Sequence, residues 1–203
     1  MSLTLKSKLA VTVAALGTAA GVAGLGTFGT FTDTTSASTP VDSGVVDINV
    51  GATGASTNRL TIAAVDIVPG DTMQRGFTLI NASTDDLASI TLSSSASTSS
   101  LLDTDATNGL QMVVEKCSIA WVEAGISPAF TYTCLGTTST VLASRAVIGS
   151  ALSLSNLGST TAGATDNLRM TLTLPSTADN TFQNRASTVA FTFTATQRAA
   201  TNK

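Results

Sequence analysis

Leu168-Arg169-Met170-Thr171-Leu172-Thr173-Leu174 carries a large apolar side chain at every second position, with polar ones between. Val189-Ala190-Phe191-Thr192-Phe193-Thr194-Ala195-Thr196 repeats the pattern near the C-terminus. A period of two sends one face of an extended chain into the core and the other into water; a helix would need apolar residues every three or four. Working outward, Val45-Val46-Asp47-Ile48-Asn49-Val50 reads as a further strand. Residues 59–68 and 72–81 read as two more, joined through Pro69-Gly70-Asp71. Proline presets the first corner of a type II turn and glycine accepts the positive φ of the second. Strands at these short intervals, with no long helical period after the first thirty residues, predict an antiparallel β-sandwich.

Composition agrees. Only 11% of the 203 residues are charged, against about 25% in an average soluble chain. The 36 threonines and 24 serines make up roughly 30% of it, a bias that favours strands over helices. With 43% hydrophobic residues and a net charge of −3, the chain lacks the high charge and low hydrophobicity of a disordered one. Its length suits a single domain with a sizeable core. The ten basic residues are scattered, so no nucleic-acid partner is expected.

The N-terminus has the layout of an export signal. Lys6 and Lys8 form a basic start, and a run of apolar and small residues follows from position 9 to 25. Gly17, Gly21 and Gly24 interrupt that run, which is marginal for the ~20 residues a retained membrane span needs. The reading is therefore a signal peptide over residues 1–30, with membrane contact only before cleavage. Without Lys6 and Lys8, 8 basic residues face 13 acidic ones, a net charge of −5. Export agrees with the cysteine count. Cys117 and Cys134 flank Trp121, Phe130 and Tyr132 in two short strands around a turn at positions 125–128. A two-cysteine chain in an oxidising compartment most simply forms one bridge. The alternative, a metal or redox pair, would have no third ligand nearby.

Catalytic schemes find little support. There is no histidine, which removes Ser-His-Asp and Cys-His chemistry and the two-histidine zinc motif. A Ser-Lys dyad would need a desolvated lysine, and beyond the signal only Lys116 and Lys203 exist. Asp85-Asp86 fits a polar loop better than paired-carboxylate catalysis. The stretch from Asp103 through Asp105 and Asn108 to Gly109 places oxygen side chains at alternate positions, as a calcium loop does. Its glycine comes one place late, though, and its closing position is Val114 rather than glutamate. Asp103, Asp105 and Asn108 stand as a weak calcium candidate beside the plainer reading of a solvated turn. Asn81-Ala82-Ser83 matches a glycosylation sequon, and Leu174-Pro175-Ser176-Thr177-Ala178 is similar to a sortase signal without the apolar tail one requires. Residues 93–100, rich in serine and threonine, read as a strand end entering a loop.

Gly26-Thr27-Phe28-Gly29-Thr30-Phe31-Thr32-Asp33 resembles the signal-peptide boundary of the TasA/camelysin family, exported bacterial proteins processed by a dedicated signal peptidase of the SipW type. Gly44-Val45-Val46-Asp47-Ile48 looks like that family's first core strand and Pro69-Gly70-Asp71 like its hairpin turn. Phe193-Thr194-Ala195-Thr196-Gln197-Arg198 is similar to the closing strand of actinobacterial members, which often carry a cysteine pair around a tryptophan. The resemblance implies cleavage between Thr30 and Phe31, and a jelly-roll subunit of biofilm-matrix fibres. It further implies donor-strand assembly, in which the N-terminal segment of one copy fills the sheet of the next. The metalloprotease activity attached to the camelysin name does not suit a chain without histidine.

The expectation is an all-β chain: a jelly-roll-like antiparallel β-sandwich over residues 41–203, behind a cleavable signal helix (1–30) and an extended donor segment (31–40). Phe31, Thr32, Asp33, Thr34 and Thr35 lead that segment. The expected function is a secreted, non-enzymatic fibre subunit without cofactors, its partners being copies of itself and the SipW-type signal peptidase during export. The alternative is a monomeric binding module recognising a cell-surface or glycan ligand through loops such as 97–109.

Overall fold

The computed structural model describes residues 46–60 and 67–200. The signal peptide, the cleavage site at Thr30 and Phe31, and the donor segment with Phe31, Thr32, Asp33, Thr34 and Thr35 lie outside the described residues.

Ten strands dominate the described residues: β1 (Ile48–Val50), β2 (Thr72–Asn81), β3 (Leu87–Thr98), β4 (Gln111–Cys117), β5 (Val122–Ile126), β6 (Ala129–Thr133), β7 (Thr138–Ala146), β8 (Gly149–Ser153), β9 (Thr165–Thr173) and β10 (Thr188–Gln197). All pairings are antiparallel. Among the described residues one sheet has the order β1-β2-β9-β4-β7, a second has β10-β3-β8, and β5 pairs only with β6. From β2 to β4, and again from β7 to β10, the chain changes sheet at each step. That is the winding of a jelly roll, so the all-β sandwich expected from the sequence is the fold found.

The alternating stretches behave as their period requires. On β9, Leu168 and Met170 are fully buried, facing inward with Phe77 and Leu79 of β2 and with Met112 and Val114 of β4. Ile90 and Leu92 of β3 meet them from the second sheet. Each such side chain taken from water contributes about 1.5–3 kcal/mol. Phe193 reaches across from β10 to lie 5.4 Å from Phe77, ring centre to ring centre.

The Pro69-Gly70 turn forms as read: the Asp71 N–H donates to the Val68 carbonyl, and Gly70 has φ 97°. The segment before it is only partly described. Asn58 makes a single bridge to Phe77, and the Arg59 N–H donates to Gly76. Residues 93–98 finish β3, and positions 99–100 leave it. There the structure adds an element that the sequence reading lacks, the one-turn helix α1 (Leu101–Thr104). Ser100 caps it from one side while the Asp103 carboxylate returns to the Ser100 N–H, a reciprocal capping box.

Two motifs are absorbed by the fold. Asn81 is fully buried, donating to the Thr161 carbonyl and accepting from the Ser83 N–H, so its amide is not offered to a glycosyl carrier. Leu174 and Ala178 are buried at the two ends of a turn, which leaves no extended sorting peptide.

Candidate functional site

Two surfaces hold what is chemically distinctive here. The first begins with β4, which ends at Cys117; after it the chain turns back as the hairpin β5–β6 and is tied off by the Cys117–Cys134 disulfide, with a Cα–Cα distance of 5.7 Å. The bridge is the one expected from the cysteine count, and the turn falls at Ser127–Pro128. That hairpin joins neither sheet by strand pairing but lies over β2. Tyr132 rests directly on Gly76, where any added Cβ would come within 2.5 Å of its ring. Glycine is therefore required there by contact rather than by backbone conformation.

A clasp of charge and aromatic rings fixes the hairpin. Arg59, beside β2, donates through Nε and Nη2 to both oxygens of Glu123, at 2.9 and 2.5 Å. Such two-point pairing of guanidinium and carboxylate is among the stronger protein hydrogen bonds. The Tyr132 hydroxyl donates to the same carboxylate at 2.7 Å, its N–H donates to Gln74 Oε1 at 2.8 Å, and the Arg59 guanidinium stacks 4.5 Å above Phe130. On the adjoining side Arg169 lies 4.4 Å over the Trp121 ring, donates to the Tyr132 carbonyl at 2.9 Å and pairs with Glu115. The Trp121 indole donates to the Asn167 carbonyl at 3.0 Å. Arg59 first, then Tyr132, holds the Glu123 carboxyl below its ordinary value against the opposing effect of partial burial. Burial, followed by the bond to Glu123, pushes the Tyr132 phenol up. The clasp thus pairs its charges with one another, Arg59 with Glu123 and Arg169 with Glu115, although the buried Nε of Arg169 has no hydrogen-bond partner.

The second surface is the margin where β10 and β1 lie alongside each other across the sandwich. β10 is ten residues long, TVAFTFTATQ, with no charge and no proline, whereas β1 has only three residues. β10 pairs with β3 on one side, and among the described residues no strand pairs with its other edge. Val189, Phe191, Phe193 and Ala195 face the core yet are only half-buried.

Of the calcium candidates, Asp105 and Asn108 bond each other while Asp103 is engaged by serines, so all three are occupied locally. Burial alone would raise the Asp103 carboxyl, but bonds from the Ser187 hydroxyl, the Ser100 N–H and the Ser99 hydroxyl hold it below the ordinary value. Asp105 accepts from the backbone N–H groups of Asn108 and Thr107, both at 2.9 Å. Asn108 bonds Asp105 and Thr177. Asp85 pairs with Arg198, and Asp86 accepts from the Ala162 N–H, so the two neighbours serve different loops. Among the clasp residues, Arg59, Glu123 and Arg169 escaped the sequence reading. The signal available was Glu123 itself, the lone charge in residues 118–137.

Two comparisons with known proteins bear on this arrangement. The family model described as Camelysin metallo-endopeptidase matches residues 4–202. A comparison with curated proteins yields no match. A metallo-endopeptidase implies a catalytic metal, and the described residues do not fit one. The chain has no histidine, both cysteines are bonded to each other, and Glu115 and Glu123 are held by arginines. Among the described residues no group of three or more cysteine, aspartate or glutamate side chains is arranged to hold an ion. With a match that spans the chain almost from end to end, the protein belongs to the camelysin family.

Proposed function

We propose that the chain is a secreted structural subunit of extracellular biofilm-matrix fibres, with no enzymatic activity of its own. In this reading a SipW-type peptidase cuts between Thr30 and Phe31, and residues 31–40 of one copy dock along β10 of the next. The observation that supports it most is the state of β10. Natural sheets guard long edges with charges, prolines or covering segments, because an open edge recruits other chains. β10 carries neither charge nor proline over ten residues, and its apolar face is half-open. Residues 31–39 contain one charge, Asp33. Fully extended they span roughly 30 Å at about 3.3 Å per residue, the length of β10 itself. Strand addition would satisfy the backbone of both partners, and Phe31 would supply an apolar anchor at the liberated end.

The experiment compares the chain beginning at Phe31 with one beginning at Asp42, by size exclusion and negative-stain microscopy. Filaments from the first alone support the proposal. Monomers from both would contradict it and leave a solitary binding module.

A further inference from the structure

We infer that the outer face of the β5–β6 hairpin is a contact between copies of this chain, which joins finished fibres side by side. The inference rests on the fibre reading above. Of the six large apolar side chains exposed among the described residues, four belong to the hairpin and its flanks: Ile119, Val122, Ile126 and Leu135. Ile126 is 81% exposed and Leu135 72%. Val122, Ala124 and Ile126 of β5 stand opposite Thr133, Thr131 and Ala129 of β6, and all six are exposed.

None of these is needed to hold the hairpin down. Glu123, Phe130 and Tyr132, on the other face, do that through Arg59 and Gln74. The outer face is also uncharged, since the one acid in residues 118–137 turns inward to Arg59. No like charges therefore face each other where two such ribbons meet. A bilayer with anionic headgroups would call for lysines or arginines, and this stretch has none. Disulfide and clasp hold the ribbon rigid, so little ordering entropy opposes contact.

Size decides what kind of contact it is. Five residue pairs cover about 17 Å by 10 Å, and with Ile119 and Leu135 the patch is about 300 Å² per partner. A stable pair of free proteins needs about 800 Å² on each side. Single subunits therefore stay apart through this face, while fibres that repeat it along their length are held by many weak contacts at once.

The test uses filaments secreted from cells expressing the full-length chain. Wild type is compared with Ile126→Lys, with the neutral double variant Val122→Thr/Ile126→Thr, and with Ser176→Lys as a charge control away from the hairpin. Intact disulfide and unchanged melting establish folding. The inference expects single filaments from both hairpin variants, a roughly tenfold fall in bundled filaments from the loss of repeated contacts, and bundles from wild type and the control. Filaments that bundle equally in all four, or in none, overturn the inference and leave the fibre reading standing. Wild type that binds phospholipid vesicles through Ile126 without bundling assigns the patch to lipid and overturns it too. Absence of filaments from every chain sinks the fibre reading, and this inference with it.

Discussion

Replacing both bridge cysteines, Cys117→Ala with Cys134→Ala, isolates what the disulfide contributes. The bond closes a loop with a sequence separation of 17. On the chain-entropy model a loop of that size restricts the unfolded chain by about 3 kcal/mol at 25 °C. The folded hairpin keeps its other holds, Arg59 on Glu123 and Arg169 on Trp121, so the variant should fold with the hairpin in place. For a domain of this size 1 kcal/mol moves the midpoint by about 2–4 °C, so the expected fall in Tm is about 6–12 °C. Calorimetry of both proteins, with Trp121 ellipticity in the near ultraviolet as a check on docking, measures it. A fall below about 2 °C, or a near-ultraviolet signal lost at 25 °C, would refute the division between a bridge acting on the unfolded chain and a clasp acting on the folded one.

Gly76→Ala forces a Cβ against the Tyr132 ring and should destabilise by about 1–3 kcal/mol in urea unfolding; Gly70→Ala, where the added carbon meets nothing within 4 Å but φ is 97°, should cost about 1 kcal/mol. Because the Glu123 carboxyl is lowered by Arg59, its stabilisation is complete above the ordinary glutamate value of 4.5 and is lost as pH falls through the lower folded value. A Glu123→Gln variant should therefore show a flatter loss of Tm below pH 4.5 than wild type. Asp103→Ala removes the partner of Ser99, Ser187 and the Ser100 N–H and should cost about 1–3 kcal/mol in the same unfolding assay, with added calcium changing the midpoint of neither protein.

The strands were legible wherever one face meets the core and the other meets water. β2 has the bounds read from residues 72–81, and β9 and β10 follow their alternation. The hairpin was legible too, from aromatics on either side of a proline turn. Its docking was not, because the clasp joins Arg59 to Glu123 across 64 residues and no local pattern records a partner that far away. Gly76 looks like an interruption of a strand until Tyr132 is placed on it. Asp103, Asp105 and Asn108 have the spacing of ligands, but that same spacing serves caps and turns. Which use prevails depends on whether backbone N–H groups or an ion claim the oxygens.

The central claim is that residues of one copy lie along β10 of another. A photo-crosslinking residue at position 191, in filaments grown from an equal mixture of isotopically heavy and light chains, tests it most directly. The account predicts crosslinked peptides joining β10 to residues 31–40, with heavy–light pairs as common as chance mixing gives. Crosslinks to residues 31–40 found only within chains of one isotope, or none to that segment at all, would contradict it.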